Sequence, residues 1–543
     1  MNTEYLKIGD ISKDRPLIEK AGETLRNGGV VAIPTETVYG LAANALDETA
    51  VKKIFAAKGR PADNPLIVHV SGAEDVAALV ERIDPRFPAL AEKFWPGPLT
   101  VIMKKSALVP DVTSGGLDTV AVRCPSHPVA HAIIEAAGVP LAAPSANISG
   151  KPSPTKAEHV LADMQGRIDM IADGGSCEIG VESTVITLAE NPPRLLRPGG
   201  VTPGMLKELL PDLVTDKSVF SALEKGAKAA SPGMKYKHYS PSAEVVLLKG
   251  TLENAVKYVN RHGGEGCAVL CYEGEAQKFN VPAFEYGREN DMLSLAHGVF
   301  DALRKLDSGF TRAYVRTPEP EGVGLAVYNR LLRSAAFRVA DADNPIEVIG
   351  LTGPTGAGKS TVSKYFKDNG YYIIDGDLLA REAVKSGTVL RALAEEYGAD
   401  IINEDGSLDR RKTADRAFAS PEKTKRLNEI THPAICALTS MEIAKAQSEN
   451  ARGAVIDAAA LLECPPILAL CDRTACVIAP EEERLERIIA RDSITAQQAK
   501  RRISAQHPDD YYISRTDYTI HNGKNDDFRR EVDSFLRQAG GKI

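Results

Sequence analysis

The sequence predicts a multidomain α/β protein that ends in a P-loop domain with a parallel sheet. Three observations lead to this class. The 543 residues exceed what one hydrophobic core can hold, and ordinary domain sizes suggest about three or four domains. Short strand and helix patterns alternate along the chain, which is typical of α/β folds. A phosphate-binding motif stands between a strand pattern and a helix pattern in the last third of the chain.

The composition is that of an ordinary globular protein. Hydrophobic residues make up 43% of the chain and charged residues 26%. The net charge of −7 argues against a strongly basic nucleic-acid binder. Residues 1–10 show no signal-peptide core, and no segment approaches the roughly 20 apolar residues that span a bilayer. We therefore expect a cytoplasmic protein that binds no membrane and makes no strong direct contact with nucleic acid.

The eight cysteines are scattered, and none lies in a C-x-x-C pair. No histidine pair at ligand spacing accompanies them, so the sequence does not predict a zinc site. We interpret the cysteines as buried thiols in a reducing compartment.

Changes in composition divide the chain into five segments. A strand-like pattern ends at Arg197–Gly200, and a basic linker with Pro and Gly at its centre follows. A new strand begins at Val245–Leu248, and the polar run Asp341–Pro345 precedes the last domain. The predicted segments are a twisted α/β domain at 1–217, a linker at 218–242, a small Rossmann-like α/β domain at 243–340, a linker at 341–346 and a P-loop domain at 347–543.

The first domain is predicted to open with a helix, followed by the strand Val30–Ile33. Cationic and neutral polar side chains then recur in short strings, a set that suits an anionic ligand such as a nucleotide together with an amino acid. They are Lys58, Arg60, Arg123 and Arg197, with Thr35, Thr37, Ser145, Asn147 and Ser183. The same residue types are common in turns and helix caps. Residue chemistry alone therefore predicts a polyanion-binding domain and no reaction.

Taken together, these strings resemble the YrdC family. The matching strings include Pro34–Leu41, Lys58–Pro61, Asn64–Leu66, Ala143–Gly150, Glu182–Thr184 and Arg197–Gly199. With the linker Ser231–Pro241 and the domain after it, residues 1–340 resemble the long form of threonylcarbamoyl-AMP synthase. The resemblance implies that L-threonine, bicarbonate and ATP yield L-threonylcarbamoyl-AMP and pyrophosphate. It also implies that the product serves the threonylcarbamoyl modification of tRNA adenosine, through tRNA-modification transferase partners.

The resemblance implies two groups of binding residues. The residues expected to hold threonine are Thr37, His69, Arg123, Ala143 and Ser183. The residues expected to hold ATP are Lys58, Arg60, Asn64, Thr119, Ser145, Asn147, Ser153, Arg197 and Tyr236. His69 has a second interpretation, a structural histidine at the end of a strand.

The linker carries Lys235, Tyr236, His238 and Tyr239 beside a Pro-Gly hinge. We interpret it as a lid that folds over the cleft and protects the labile adenylate from water. In the small domain that follows, Ala268–Leu270 is predicted to be a buried strand.

The last domain contains a complete G-x-x-x-x-G-K-[ST] motif. Its strand Val348–Leu351 and helical segment Thr361–Phe366 provide the strand, loop and helix that the motif requires. Glycines let backbone N–H groups turn around phosphate oxygens, and the helix N-terminus adds its positive dipole. Lys359 is expected to reach the β- and γ-phosphates, and Ser360 to hold Mg²⁺. The predicted ATP-binding residues are Gly353, Gly356, Ala357, Gly358, Lys359, Ser360 and Thr361.

Two further groups have a functional and a structural interpretation. Asp375 and Asp377 follow an apolar strand, where a carboxylate can orient a substrate hydroxyl, although an Asp before a helix also caps it. Arg484, Arg487 and Arg491 share one helix face, where guanidinium groups can neutralise a transferring phosphoryl group. Glutamates between them also fit a solvated face.

Together these pieces resemble dephospho-CoA kinase. They are the P-loop, Ile374–Asp377, Leu408–Arg411, His432–Pro433, Leu461–Glu463, Arg491–Asp492 and Asn522–Gly523. The resemblance implies phosphorylation of the 3′-hydroxyl of dephospho-CoA by ATP, with Asp377 as the base and Asp375 nearby. It also implies Arg491 as a lid arginine and His432 as a contact on the CoA side. The loop departs from the family pattern at Pro354–Thr355.

A second reading of the whole chain remains open. The Gly-Pro-Thr start of the P-loop is also similar to tRNA dimethylallyltransferases. The chain would then be a tRNA-binding YrdC-like module fused to a P-loop tRNA prenyltransferase or to a regulatory NTPase.

Overall fold

The computed structural model describes residues 2–221, 239–403 and 405–538. Their contacts divide the chain into two compact units. Unit 1 comprises Met1–Leu247 and Ala268–Phe337, and unit 2 comprises Leu248–Cys267 and Arg338–Ile543. Most of the predicted lid, including Tyr236, lies outside the described residues. The five segment boundaries stay a prediction.

Unit 1 is built on a mixed sheet of eleven strands in the order β1-β8-β2-β3-β7-β4-β6-β5-β9-β10-β11. Its strands are β1 (Glu4–Lys7), β2 (Val31–Ile33), β3 (Gly40–Asn44), β4 (Ile67–His69), β5 (Leu99–Lys104), β6 (Thr119–Arg123), β7 (Leu141–Ala142), β8 (Met170–Asp173), β9 (Thr184–Thr187), β10 (Arg194–Arg197) and β11 (Val214–Thr215). The helices between them are α1 (Arg15–Arg26), α2 (Glu48–Lys58), α3 (Val76–Leu79), α4 (Phe87–Phe94), α5 (Asp111–Ser114), α6 (Pro128–Ala137), α7 (Ala157–Met164) and α8 (Pro203–Lys207).

Alternation along the strands gives this sheet two apolar cores. In β2, Val31 and Ile33 pack into one core while Ala32 packs into the other. One prediction was wrong, because β1 precedes the expected opening helix. Its exposed and less exposed positions alternate, but the residues Glu-Tyr-Leu-Lys do not alternate between polar and apolar types, so the sequence gives no strand signal. Its pairing with β8, in which Glu4 lies opposite Met170, is a long-range contact that local sequence does not reveal.

A second sheet has five strands in the order β14-β13-β15-β12-β16. Its strands are β12 (Glu244–Lys249), β13 (Cys267–Cys271), β14 (Ala283–Glu285), β15 (Arg312–Arg316) and β16 (Val339–Asp341). The helices of this region are α9 (Leu252–His262), α10 (Met292–Lys305) and α11 (Gly324–Ser334). The strands predicted at residues 245–248 and 268–270 are confirmed.

The third sheet is fully parallel, in the order β18-β19-β17-β20-β21. Its strands are β17 (Glu347–Thr352), β18 (Tyr371–Asp375), β19 (Gly453–Asp457), β20 (Arg473–Ile478) and β21 (Tyr518–His521). The helices are α12 (Lys359–Asp368), α13 (Gly376–Ala383), α14 (Gly387–Tyr397), α15 (Arg410–Ala417), α16 (Pro421–Ser448), α17 (Pro465–Leu468), α18 (Glu481–Asp492), α19 (Ala496–Ser504), α20 (Asp509–Ile513) and α21 (Phe528–Arg537). The predicted α/β class with a parallel P-loop sheet is confirmed.

Side chains alternate across β17 as well. Val348 packs into one apolar core, and Ile349 and Leu351 pack into the other. The P-loop strand is therefore central in the sheet and buried on both faces. Among the residues that the structure describes, no helix combines the length and the apolar character that crossing a membrane requires.

Candidate active sites

One pocket of unit 1 collects most of the residues predicted to bind threonine and ATP. Its lining residues are Thr37, Val38, Arg60, Ile67, His69, Arg123, Ala143, Pro144, Ser145, Asn147, Lys151, Glu182, Ser183, Arg197 and Tyr239. Four predicted residues do not line it, namely Lys58, Asn64, Thr119 and Ser153. Tyr236 lies outside the described residues.

His69 and Arg123 end the neighbouring parallel strands β4 and β6. They are in register, so their side chains lie on the same face of the sheet. His69 is buried, and its Nδ1 lies 3.3 Å from the carbonyl oxygen of Ile67. Burial, with a further contribution from Arg123, lowers the pKa of His69 to about 3. The ring is therefore neutral near pH 7.

Arg123 is fixed by a buried carboxylate. Its Nη2 donates to Oε1 of Glu36 at 2.6 Å, and both side chains are only 4% exposed. Glu36 in turn accepts the backbone N–H of Ser126 at 3.2 Å. A guanidinium held in this way keeps one orientation without a ligand, although Glu36 compensates part of its charge.

Lys58 is the last residue of α2, which Gly59 terminates in a left-handed conformation with φ of 62°. The Lys58 amine donates to the carbonyl oxygens of Ser145 and Asn147, the latter at 2.6 Å. Burial lowers the pKa of Lys58 well below its usual value, and Arg60 lowers it further. Although predicted as a phosphate contact, Lys58 holds the loop that carries two other predicted ATP residues.

Ser183 and Arg197 are joined at one wall of the pocket. Arg197 donates from Nε to the Ser183 carbonyl at 3.0 Å and from Nη2 to the Ser183 hydroxyl at 3.1 Å. The hydroxyl also lies 2.8 Å from that of Thr100 on β5. Arg197 ends β10 and Ser183 precedes β9, so the antiparallel pairing of these strands brings the two together.

Glu182 and Arg330 form an ion pair that sequence reasoning missed. Arg330 is fully buried, and its Nε donates to Oε2 of Glu182 at 2.9 Å. Arg330 also donates to the carbonyl oxygen of Pro198, and Glu182 accepts the Ser153 hydroxyl. Burial alone would raise the pKa of Glu182, but Arg330 and Arg197 lower it below the usual value. Glu182 belongs to the segment Glu182–Thr184, which carries part of the family resemblance. Arg330 is 148 residues away and gave no local signal.

Three other predicted residues complete this half. Asn64 is buried, and its Oδ1 accepts no hydrogen bond from any described residue. Thr119 begins β6 opposite Lys104 and is half-buried. Tyr239 is buried at the pocket with φ of 62°, and its ring lies 5.3 Å from that of Phe300. Tyr239 therefore lines the pocket. Asn64 offers a buried acceptor outside the pocket lining.

The second site is the P-loop of unit 2. Gly353 has φ of 139°, and a Cβ there would collide with the carbonyl oxygen of Val477. Gly358, with φ of 90°, caps α12, and a Cβ would collide with the Asn522 amide. These two glycines are required because the loop turns against neighbouring backbone and side-chain atoms.

Asp457 is the residue that sequence reasoning missed in this site. Its Oδ1 accepts Nζ of Lys359 at 2.5 Å, and its Oδ2 accepts the Ser363 hydroxyl at 2.5 Å. Asp457 ends β19 opposite Asp375, which ends β18. The signal was present, since Asp457 follows an apolar strand in the same way as Asp375 does.

The two predicted carboxylates have different local roles. Asp375 caps α13, because its Oδ1 accepts the Leu378 N–H at 2.9 Å. Asp377 lies in the first turn of that helix and is exposed. The helix-cap interpretation therefore describes Asp375, whereas Asp377 lies inside the helix and faces solvent.

The three arginines of α18 have different partners and do not act as one row. Arg484 and Arg487 donate to carbonyl oxygens on the outer side of the P-loop. Arg491 forms a bidentate pair with Asp492 at 2.9 and 3.0 Å, and its side chain is 61% exposed. The close approach of Arg484 and Arg487 to the loop depends on Gly356. A Cβ at this position would lie 2.8 Å from the backbone carbonyl oxygen of Arg484, so α18 packs directly on the loop.

The remaining predicted residues lie on the helices α12 and α16. Ser360 and Thr361 are exposed in the first turn of α12. His432 lies inside the long helix α16, beside Pro433. Partial burial lowers the pKa of His432 below its usual value.

Three family models match the chain in succession. A model described as telomere recombination, covering Sua5, YciO and YrdC, matches residues 23–199. A model described as the C-terminal domain of threonylcarbamoyl-AMP synthase matches residues 201–336. A model described as dephospho-CoA kinase matches residues 347–527. The first pocket and the P-loop therefore fall within different families.

Relatives match each half over almost their whole length. The threonylcarbamoyl-AMP synthase of Pyrococcus abyssi is 46% identical over 330 residues, which cover 59% of this chain and 95% of that protein. The dephospho-CoA kinase of Corynebacterium efficiens is 36% identical over 197 residues, which cover 36% of this chain and 98% of that protein. A crystal structure of P. abyssi Sua5 complexed with L-threonine has a TM-score of 0.57 at 43% identity, covering 63% of this chain and 99% of that chain.

Replacing Arg330 by Met should strongly destabilise unit 1. The change leaves the Glu182 carboxylate buried without its cation, which costs about 3–5 kcal/mol of unfolding free energy. Urea unfolding followed by fluorescence of the single tryptophan, Trp95, measures this. Lys20→Met, which removes an exposed pair with Glu4, is the control and should cost about 1 kcal/mol or less. Equal losses in both variants would contradict the buried-pair interpretation.

His69 should make unit 1 acid-sensitive. Its folded-state pKa of about 3 lies below the unfolded value, so only the unfolded state gains the proton as pH falls. The stability contributed by the neutral ring is present above about pH 6.5 and is lost towards pH 3, by about 1.4 kcal/mol per pH unit.

The test compares urea unfolding at pH 7 and pH 5. The unaltered chain should lose about 2 kcal/mol more over this interval than His69→Asn does. His131→Asn, at a histidine with a side chain 32% exposed, is the control and should follow the unaltered chain. Parallel curves for His69→Asn and the unaltered chain would exclude a neutral, buried His69.

Proposed function

The chain belongs to the threonylcarbamoyl-AMP synthase family over its N-terminal part and to the dephospho-CoA kinase family over its C-terminal part, and on this premise we propose how its residues carry out both reactions. It is a bifunctional enzyme. The first activity forms L-threonylcarbamoyl-AMP from L-threonine, bicarbonate and ATP for tRNA modification. The second transfers a phosphoryl group from ATP to the 3′-hydroxyl of dephospho-CoA and yields coenzyme A.

One observation carries this conclusion. A single chain covers 95% of a threonylcarbamoyl-AMP synthase and, in a different part, 98% of a dephospho-CoA kinase. The family models matched by the two parts span the residues that line the pocket and those of the P-loop. The pocket chemistry agrees, because one site combines several cations with neutral polar groups and the other is a complete phosphate-binding loop.

In the synthase, we assign threonine to the wall formed by Thr37, His69, Arg123, Ala143 and Ser183. The amino group of threonine attacks the carbon of bicarbonate, and loss of water gives a carbamate, whose oxygen attacks the α-phosphorus of ATP and displaces pyrophosphate. A neutral His69 suits this role, because a protonated ring would repel the amino group that must act as nucleophile. Arg123, held by Glu36, supplies an oriented guanidinium for the amino acid's carboxylate.

We assign ATP to the same pocket, next to the threonine residues, since Arg197 donates to Ser183. Arg60 and Arg197 compensate the charge that develops on the α-phosphate and the departing pyrophosphate, together with the hydroxyl and amide groups of Ser145, Asn147 and Ser153. Asn64 supports this assignment, since its buried Oδ1 has no partner among the described residues. Thr119 and Lys58 fit a supporting role, and Lys58 acts through the loop carbonyls that it binds.

In the kinase, the P-loop amides and Lys359 bind the phosphates of ATP. Lys359 exchanges its contact with Asp457 for phosphate oxygens when the nucleotide enters. We assign Asp377 as the base that accepts the proton of the 3′-hydroxyl, because Asp375 already caps α13. Arg491 lies on α18, whose inner arginines contact the loop, and is assigned to the lid. His432 is assigned to the CoA side.

The donors around Ser360 fit Mg²⁺. Ser360 is exposed in the first turn of α12. Asp375 and Asp457 are the last residues of adjacent strands and lie opposite each other. Oxygen ligands of this kind, completed by phosphates and water, are what Mg²⁺ prefers. Within the described ranges, no cluster of three or more His, Cys, Asp or Glu side chains forms a complete metal cage, which agrees with a metal held mainly by the nucleotide. Bound Mg²⁺ would neutralise phosphate charge.

Three further assignments extend this proposal. The eight cysteines are thiols, seven of them buried, which supports a reducing compartment and hence the cytoplasm. The product of the synthase is passed to tRNA-modification transferase partners. The third is the predicted lid, most of which lies outside the described residues; Tyr239 near its end lines the pocket.

Variants that inactivate one half should leave the other half active. Lys359→Met removes the P-loop charge and should lower CoA formation at least a hundredfold, while threonine-dependent pyrophosphate release stays unchanged. Arg197→Met should do the reverse. Steady-state assays of both products in each protein measure this.

Neighbouring cations provide matched controls for both variants. Lys364→Met on the exposed face of α12 and Arg194→Met on β10 should leave both activities intact. Loss of both activities in either site variant would contradict independent sites. ATP hydrolysis without CoA formation in the unaltered chain would favour the regulatory NTPase, and prenylation of tRNA would favour the prenyltransferase.

The base can be identified by two amide substitutions. Asp377→Asn should lower kcat for CoA formation by about 10²–10⁴, because an amide cannot accept the hydroxyl proton. Asp375→Asn should cost less, since Asn still accepts the Leu378 N–H and caps α13. The kcat values at saturating ATP and dephospho-CoA decide between them. A larger loss in Asp375→Asn would assign the base to Asp375 instead.

A further inference from the structure

Side chains from later segments form several hydrogen bonds with the backbone of the P-loop, and two of them bind Thr355. Its backbone N–H donates to Oε1 of Gln506 at 2.7 Å. Its carbonyl oxygen accepts Nε of Arg484 at 3.1 Å. Both polar groups of one loop residue are therefore held by side chains that follow it by more than 120 positions in the chain.

Arg484 is itself held rigidly. It is 4% exposed, and its Nη1 donates to Oδ1 of Asp509 at 3.0 Å, in the first turn of α20. A buried guanidinium must have its donors satisfied, so its position is fixed by acceptors on two sides. Thr355, Arg484, Gln506 and Asp509 thus form a chain of contacts that links the loop to α18 and to the segment between α19 and α20.

The next two carbonyls of the loop continue the same arrangement. Arg487 lies 3.4 Å from the carbonyl oxygen of Gly356 and 3.3 Å from that of Ala357. The side-chain amide of Asn522 donates to the carbonyl oxygen of Ala357 at 2.8 Å. The backbone carbonyl oxygen of Asn522 accepts Nη2 of Arg487 at 2.7 Å. The carbonyl edge of the loop is therefore bound from outside, which leaves the later amides directed towards the phosphate side.

Gln506 differs from these other contacts in kind. The arginines and Asn522 donate to carbonyl oxygens of the loop, whereas Gln506 accepts a backbone N–H. Glutamine has the longest neutral side chain that ends in a carbonyl acceptor. It is partly exposed and belongs to no apolar core cluster of unit 2. Its contribution therefore lies in the orientation of the Thr355 backbone, since removing the Gln506 side chain would remove little apolar packing.

We propose that Gln506, together with Arg484, is a positioning residue of the kinase reaction: the two side chains hold the N–H and C=O of Thr355 and so fix the first turn of the P-loop before ATP binds. The inference rests on the proposed kinase function. A cradle of amides binds phosphate best when its geometry exists before the ligand arrives, because no ordering has to accompany binding. Gln506 acts through the loop and does not touch the reacting atoms.

The expected effect is small, specific and confined to one substrate. A hydrogen bond of this kind corresponds to about a two- to tenfold change in affinity. Gln506→Met keeps the length of the side chain and removes the acceptor, so KM for ATP in CoA formation should rise by about that factor. KM for dephospho-CoA should not change, because that substrate does not bind the loop amides.

The experiment uses the full chain and three variants. Gln506→Glu keeps an acceptor oxygen and should stay within about twofold of the unaltered enzyme, measured at 0.3 M salt to screen the added charge, for which the Debye length is below about 8 Å. Gln497→Met, at an exposed glutamine of α19, is the matched control and should change neither KM. Threonine-dependent pyrophosphate release reports in each protein that the other half is intact.

Three results would overturn the inference. They are an unchanged KM for ATP in Gln506→Met, an equal rise of both KM values, and a Gln506→Glu variant as impaired as Gln506→Met when both melt at the same temperature. The second would assign a merely structural role. The unaltered chain is measured first, so absence of CoA formation there would refute the kinase function itself, and any later failure would refute only the role of Gln506.

Discussion

Cations that are to meet anionic groups of a substrate must be stabilised while no substrate is present, and much of the local structure of both sites serves this requirement. Arg123 is held by the Glu36 carboxylate at 2.6 Å, and Lys359 by the Asp457 carboxylate at 2.5 Å. The amine of Lys58 donates instead to the backbone carbonyl oxygens of Ser145 and Asn147. A buried charge without a partner would cost several kcal/mol, so Glu36 is a condition for folding as well as for the orientation of Arg123.

The two sites meet this requirement in different ways because their phosphate groups react at different positions. The kinase transfers the terminal phosphoryl group, and the residues proposed to bind the phosphates form one contiguous loop at the end of β17. The synthase reacts at the α-phosphorus, next to an amino acid. Its polar groups therefore come from the ends of β4, β6 and β10 and from segments that follow β2 and β7 or precede β9, all of which line one pocket. Only the first arrangement leaves a continuous signature in the sequence.

The region after the first sheet contributes directly to the synthase pocket. Arg330 of α11 reaches Glu182 and Pro198, and Asn329 beside it donates to the carbonyl oxygen of Val219 at 2.7 Å. On α10, Arg304 donates to Asp163 at 2.8 Å. Glu182 lines the pocket and accepts the hydroxyl of Ser153, so α11 stabilises a wall of the site without being part of it. This dependence gives a physical reason for the long form of the synthase to carry the extra domain.

The sequence by itself determined the α/β class, the P-loop with its strand and helix, and the position of Asp375 and Asp377 after β18. These features depend on neighbours within a few residues, where periodicity and motif spacing act. Only the tertiary structure decided the partners of Arg330, Lys359 and Gln506, which are 148, 98 and 151 residues away in the chain. It also decided that Lys58 binds carbonyls and that the three arginines of α18 separate. Hydrogen-bond partners of this kind are set by how strands and helices pack, and packing brings together residues whose local patterns carry no mark of each other.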